Sequence, residues 1–220
     1  MNIKITKTAK DTIIAVIVLL VITLVCIVLL SVANEYLKYV PKLDEKTATK
    51  INTLTPSGVD DETAFNDGYF KLYSEAELLE KGFDLNKFNK EKATASNKVL
   101  AIYRAEKGDN EGAFIVESTA KGYYDMTLLT AFEKTGEIIG VVAKQCTEDE
   151  FTGQVFNQDR FEKFLSQVVG QKSVPSDSEV IATTGATTKR SVKGLVNAVS
   201  VATRVMEQLL PLTEKFGGAN

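Results

Sequence analysis

The pattern of apolar and polar positions divides the chain into an N-terminal part and a longer mixed part. From Thr12 to Asn34 the sequence reads TIIAVIVLLVITLVCIVLLSVAN, without a charge. An apolar core of ~21 residues at ~1.5 Å rise spans roughly 30 Å, the thickness of a bilayer's hydrocarbon layer. A signal-peptide core is shorter, about 7–15 residues, and ends at a small-residue cleavage site. The run therefore predicts a retained transmembrane helix over 12–34, behind a tail over 1–11. Lys4, Lys7 and Lys10 precede it, and Lys38, Lys42 and Lys46 follow it. That count is nearly balanced, so orientation rests on the short tail staying cytoplasmic and the large domain lying outside. The expected location is the cell membrane, single-pass.

Beyond the run, Pro41, the charged stretch from Lys42 to Lys50 and Thr55-Pro56-Ser57-Gly58 read as a stalk over 35–58, with room for a short helix over 43–53. A polar helix is expected over 74–81, closed by Gly82. Strand patterns then take over. KVLAIYRA (98–105) and AFIVEST (113–119) flank a turn-rich connection, and MTLLTAFE (126–133) and EIIGVVAK (137–144) flank Lys134-Thr135-Gly136. A helix over 159–169 follows, with Phe161, Phe164, Leu165 and Val168 on one side. Val192, Leu195, Val196, Val199, Ala202, Met206, Leu209 and Leu210 recur at helical spacing up to Pro211. The expected fold class is α+β: one transmembrane helix, then one domain over 59–212 with a mostly antiparallel sheet and packed helices, and a tail over 213–220.

Composition narrows the chemistry. The chain has 220 residues, a formal net charge of −3 and no histidine. Histidine-based acid–base or nucleophilic sites are therefore excluded, and any catalysis falls to carboxylates, lysines or a cofactor. A small negative charge with no basic stripe argues against nucleic acid as a partner. Cys26 and Cys146 are too far apart in the organisation to pair, show no CxxC spacing, and read as small apolar fillers.

The stretch Thr183-Thr184-Gly185-Ala186-Thr187-Thr188 stands directly before the last amphipathic helix, with Lys189 and Arg190 after it. Hydroxyls, a Gly-Ala pair and a helix N-terminus suit a phosphate; the same residues also serve as ordinary caps. Thr184-Gly185-Ala186-Thr187 resembles the [S/T]-G-A-T flavinylation motif of the FMN-binding domain family, which includes the G subunit of the Rnf electron-transport complex and the C subunit of the Na⁺-translocating NADH:quinone oxidoreductase. Lys121-Gly122-Tyr123-Tyr124, the strand after it, Gly136 and Ile138-Ile139-Gly140-Val141 are similar to the family's Gly-Tyr segment and hairpin, and 157–169 to its next helix. The likeness covers about 98–210. The sequence departs from the family pattern at Ile181, where an Asp is common, and over Glu148 to Gly153, where an E-T-P-G-L-G loop is usual.

The resemblance implies FMN joined covalently to Thr187 through a phosphoester. Thr184, Gly185, Ala186, Thr188 and Lys189 would lie around the phosphate: the small pair lets the backbone approach, and Lys189 offsets charge. Tyr123, Tyr124 and Phe151 either flank the flavin ring or belong to the core. The implied function is a membrane-anchored flavoprotein relaying electrons as the electron-transfer subunit of an Rnf-type ion-translocating oxidoreductase, a translocase. Its implied partners are the other redox subunits, a flavin transferase and the membrane. Two alternatives stay open: a flavin-less assembly module of the same fold, and a stand-alone flavoprotein for extracellular electron transfer.

Overall fold

A computed structural model describes residues 7–36, 43–92, 94, 97–146 and 158–217; side chains at 7–13, 30–36 and 146 lie outside the description. The chain forms two compact units, Met1–Val40 and Pro41–Asn220.

The first unit contains helix α1 (Lys7–Tyr36). Its described side chains, 14–29, are all exposed, including Cys26, which is no buried filler. Among the described residues no helix is long and apolar enough to cross a membrane. That finding corrects the expected transmembrane helix over 12–34 and the single-pass location in the cell membrane. The helix also takes in Lys7, Lys10, Asp11 and Glu35, so its ends are charged.

In the second unit the elements are α2 (Glu45–Leu54), α3 (Asp61–Asn66), β1 (Phe70–Leu72), α4 (Glu75–Glu80), α5 (Leu85–Lys92), β2 (Asn97–Ala105), β3 (Phe114–Lys121), β4 (Asp125–Phe132), β5 (Ile138–Cys146), α6 (Gln158–Val168), α7 (Asp177–Thr184) and α8 (Lys189–Leu209). A 3-10 turn (Leu210–Leu212) and α9 (Thr213–Phe216) complete it. The five strands lie in the order β1-β2-β3-β4-β5, each antiparallel to its neighbour. The unit is α+β, as the hairpin grammar implied.

Both faces of the sheet are covered, which is why β3 is buried along almost its whole length rather than at alternate positions. Phe114, Val116, Leu128, Phe132 and Val141 face one core with Leu195, Val199, Ala202 and Met206 of α8. Ser118 Oγ donates to the Ala198 carbonyl at 2.9 Å, tying β3 to that helix. Ile115, Leu129, Ala131 and Tyr103 face a second core, closed by Ile51 of α2 and Ala64 of α3.

Residues 45–54, inside the expected stalk, are therefore a structural layer. Asp44 caps α2 by accepting from the Thr47 N–H, and Lys50 Nζ donates to the Ala143 and Lys144 carbonyls of β5. Polar residues hid this role, because only Thr47, Ala48 and Ile51 of the helix are buried. The C-terminal tail expected over 213–220 likewise contains α9, whose Phe216 packs edge-on against Tyr73 and Phe114. Helix α4 starts at a Ser74–Glu77 capping box, near where the polar pattern placed it.

Candidate functional site

The segment singled out by sequence is not a simple loop before a helix. Ser176 caps α7 in a box with Glu179, and these hydrogen bonds, the Ser176 side chain's first, hold the Glu179 carboxyl below its ordinary range. The first acidic residue upstream of the motif is thereby committed to the cap. Helix α7 runs through Thr183 and Thr184 and stops at Gly185, which sits in the left-handed region at φ 67° with its N–H donating to the Ile181 carbonyl. The glycine thus ends a helix, as the left-handed cap requires.

The hydroxyls divide by position. Thr184 is buried; its Oγ1 donates to the Val180 carbonyl at 2.7 Å and accepts from the Ala186 N–H at 3.3 Å. It stabilises the turn, so the backbone between the two helices is defined by Thr184 and Gly185 together. Thr183 Oγ1 accepts from Gln167 Nε2 of α6 at 2.6 Å. Ala186 is buried in the larger core and pins the linker down. Thr187 follows as an exposed residue. Thr188 occupies the N-cap position of α8 and makes no side-chain cap hydrogen bond.

Helix α8 opens with cations where acids would ordinarily suit the dipole. Its first turn contains no acidic residue, and Lys189, Arg190 and Lys193 are all exposed. The spacing of Lys189 and Lys193 puts them on one side of the helix. These three, with Asp177, Ser178 and Ile181 of α7, line an open cleft of about 430 Å³, within the ~300–1,000 Å³ typical of small-molecule sites. Ile181 is half-buried and packs against the core from the cleft floor. Among the described residues neither Lys189 nor Lys193 forms an ion pair.

One aromatic group reaches this place. The turn between β3 and β4 carries Tyr123 and Tyr124, both exposed, and the Arg190 guanidinium lies 5.4 Å from the centre of the Tyr123 ring. The turn is seated on α8 at Gly194: a Cβ there would meet Gly122 N at 2.9 Å and Met126 Cε at 2.8 Å. Of the candidate aromatic residues, Tyr123 is thus beside the first turn of α8, and Phe151 lies outside the described residues. So do Glu148 to Gly153, the stretch matched to the family's second loop. Sequence reasoning named Ile181 only as a departure from the family pattern and passed over Lys193 and Gly194. The i, i+4 pair of lysines was the available signal; the contact of Gly194 with a distant turn left none.

No protein-family model matches the chain, and no curated protein matches it.

Proposed function

We propose that the chain is a covalent flavoprotein, with FMN held by a phosphoester at Thr187, that relays electrons within a larger oxidoreductase of the ion-translocating kind. The observation that carries the reading is the position of Thr187: an exposed hydroxyl residue inside the T-G-A-T sequence, on a linker two positions before Lys189, which lines a cleft with Arg190 and Lys193. An exposed threonine is reachable by a modifying transferase. The linker around it is held by the Thr184 turn, the Gly185 cap and the buried Ala186, so the acceptor oxygen has a defined setting.

The residues present suit the group. The Thr187 oxygen would form the bond to phosphorus as the phosphoanhydride bond of a flavin nucleotide supplied by a flavin transferase breaks, the other phosphate half leaving as a nucleoside monophosphate and the hydroxyl proton passing to solvent or to the transferase. Lys189, Arg190 and Lys193 offset the phosphate charge that remains, and the α8 N-terminus contributes in the same sense. The flavin supplies the redox chemistry when bound, and the protein supplies position and electrostatics. With no histidine in the chain, proton delivery to a reduced ring falls to solvent or to carboxylates and lysines.

A second reading, a flavin-less assembly module of the same fold, is favoured by Ile181, an apolar side chain lining the cleft where a carboxylate is common in the resembled family, and by the departure from the family pattern over Glu148 to Thr152. Mass spectrometry of chain isolated from its native source separates the two. The first reading expects the Thr187 peptide to carry FMN less one water, and expects a Thr187→Val chain to be colourless. A Thr187 peptide of unmodified mass, or a Thr187→Val chain as yellow as its parent, overturns it.

A further inference from the structure

We propose that the cleft between α7 and α8 docks an acidic segment of a protein partner, one that presents an apolar side chain among its carboxylates. Docking there is independent of the flavin: it serves a flavin-bearing chain and a flavin-less assembly module alike.

Neither Thr187 nor Tyr123 lines the cleft, whose walls are Asp177, Ser178 and Ile181 of α7 and Lys189, Arg190 and Lys193 of α8. Three cations face one carboxylate there, in a chain whose formal net charge is −3. Among the described residues neither Lys189 nor Lys193 forms an ion pair. A flavin phosphodiester at Thr187 would bring a single negative charge, so the place stays positive even with that group attached.

Charge by itself suits any polyanion, and the floor narrows the choice. The cleft surface is mostly apolar despite its charges. Ile181 is half-buried there, and the methylene stems of Lys189 and Lys193, one turn apart, extend the apolar surface below their charged heads. A nucleic acid backbone has nothing to place on such a floor, whereas an aliphatic side chain does. The cleft, about 430 Å³, is wide open. It therefore admits side chains of a second protein rather than enclosing a free small molecule, most of whose surface a pocket would bury.

The surroundings fit a protein interface. The Arg190 guanidinium lies 5.4 Å from the centre of the exposed Tyr123 ring, and arginine and tyrosine are enriched where proteins meet. Lys121 is exposed at the end of β3, beside that turn, and adds to a charged rim that steers an acidic partner inward. The turn is seated on α8 at Gly194, so little ordering is left to do on binding.

The test is NMR of the full isotope-labelled chain, titrated with the acetylated peptide Glu-Glu-Leu-Glu-Glu. Amide shifts are expected over 177–193 and 121–124. Lys193→Glu is expected to weaken binding about tenfold and Ile181→Ser several-fold, while Lys90→Glu, an exposed lysine of α5, binds like its parent. Lys193 is exposed, so its reversal leaves folding intact and decides the matter should Ile181→Ser lose stability. Cleft amides that do not move, or a Glu-Glu-Ser-Glu-Glu peptide that binds as well as the leucine one, overturn the proposal. So does a DNA duplex, or a soluble short-chain phosphatidylglycerol, that shifts the same amides at lower concentration. Every sample is made without a flavin transferase and its Thr187 peptide is checked for unmodified mass. A failure here therefore leaves the Thr187 reading standing, and a failure of that reading leaves the docking surface standing.

Discussion

Replacing Gly194 by Ala tests whether the β3–β4 turn is seated on α8. In an open helix interior the exchange would stabilise the protein by ~1 kcal/mol, since Ala loses less backbone entropy than Gly. Here the new Cβ meets Met126 Cε at 2.8 Å, Gly122 N at 2.9 Å and Gly122 Cα at 3.0 Å. The methionine end can swing away, but the two Gly122 atoms are backbone and move only with the turn. Overpacking of this kind costs ~1–3 kcal/mol, so the steric cost outweighs the helix gain by about 1 kcal/mol. Thermal unfolding of the full chain is then expected to show a midpoint lowered by ~2–4 °C, with a matching fall in urea resistance. A Gly194→Ala chain that melts at or above its parent would refute the close contact, and with it the fixed position of Tyr123.

Two further outcomes bear on the second core and on Tyr103. Ile51→Ala should destabilise the protein by ~2–5 kcal/mol in urea unfolding, because Ile51 is fully buried against the sheet; a loss no larger than that of a surface substitution would restore the stalk. Burial, with the Glu117 carboxylate second, pushes the Tyr103 phenol above its ordinary value, while its hydroxyl donates to Glu117 Oε2 at 2.6 Å. A raised folded value makes its contribution complete below the unfolded value near ~10 and lost above it, at a slope of ~1.4 kcal/mol per pH unit. Unfolding free energies measured between neutral and strongly alkaline pH should therefore fall less steeply for Tyr103→Phe than for the parent; equal slopes would dismiss the assignment.

The strands and α8 were legible because their apolar positions recur at the right period and the turns are glycine-rich. Helix α2 was legible as a short helix within the expected stalk but not as a layer of the domain, since its polar sequence buries only a few side chains and depends on the sheet for its place. Helix α7 was hidden for a related reason: its residues are mostly Ser, Thr, Asp and Glu, and its stability comes from the Ser176–Glu179 box and the Gly185 cap. In the candidate site, Thr187 and Lys189 were readable from motif and charge. The pairing of Tyr123 with Arg190 was not, because it joins two segments far apart in the chain through a glycine contact that no local pattern announces. The apolar run at the front was a second strong signal, yet among the described residues no helix is long and apolar enough to cross a membrane.

The element order also has a consequence for how the protein is made. Helix α8 and Phe216 close the larger core, and both are synthesised after every strand. At ~5–20 residues per second, the finished meander waits seconds on the ribosome with its broad greasy side uncovered. A nascent chain in that condition is a natural client for chaperones that bind emerging polypeptides, and early termination before α8 would yield a sticky product rather than a shorter working one.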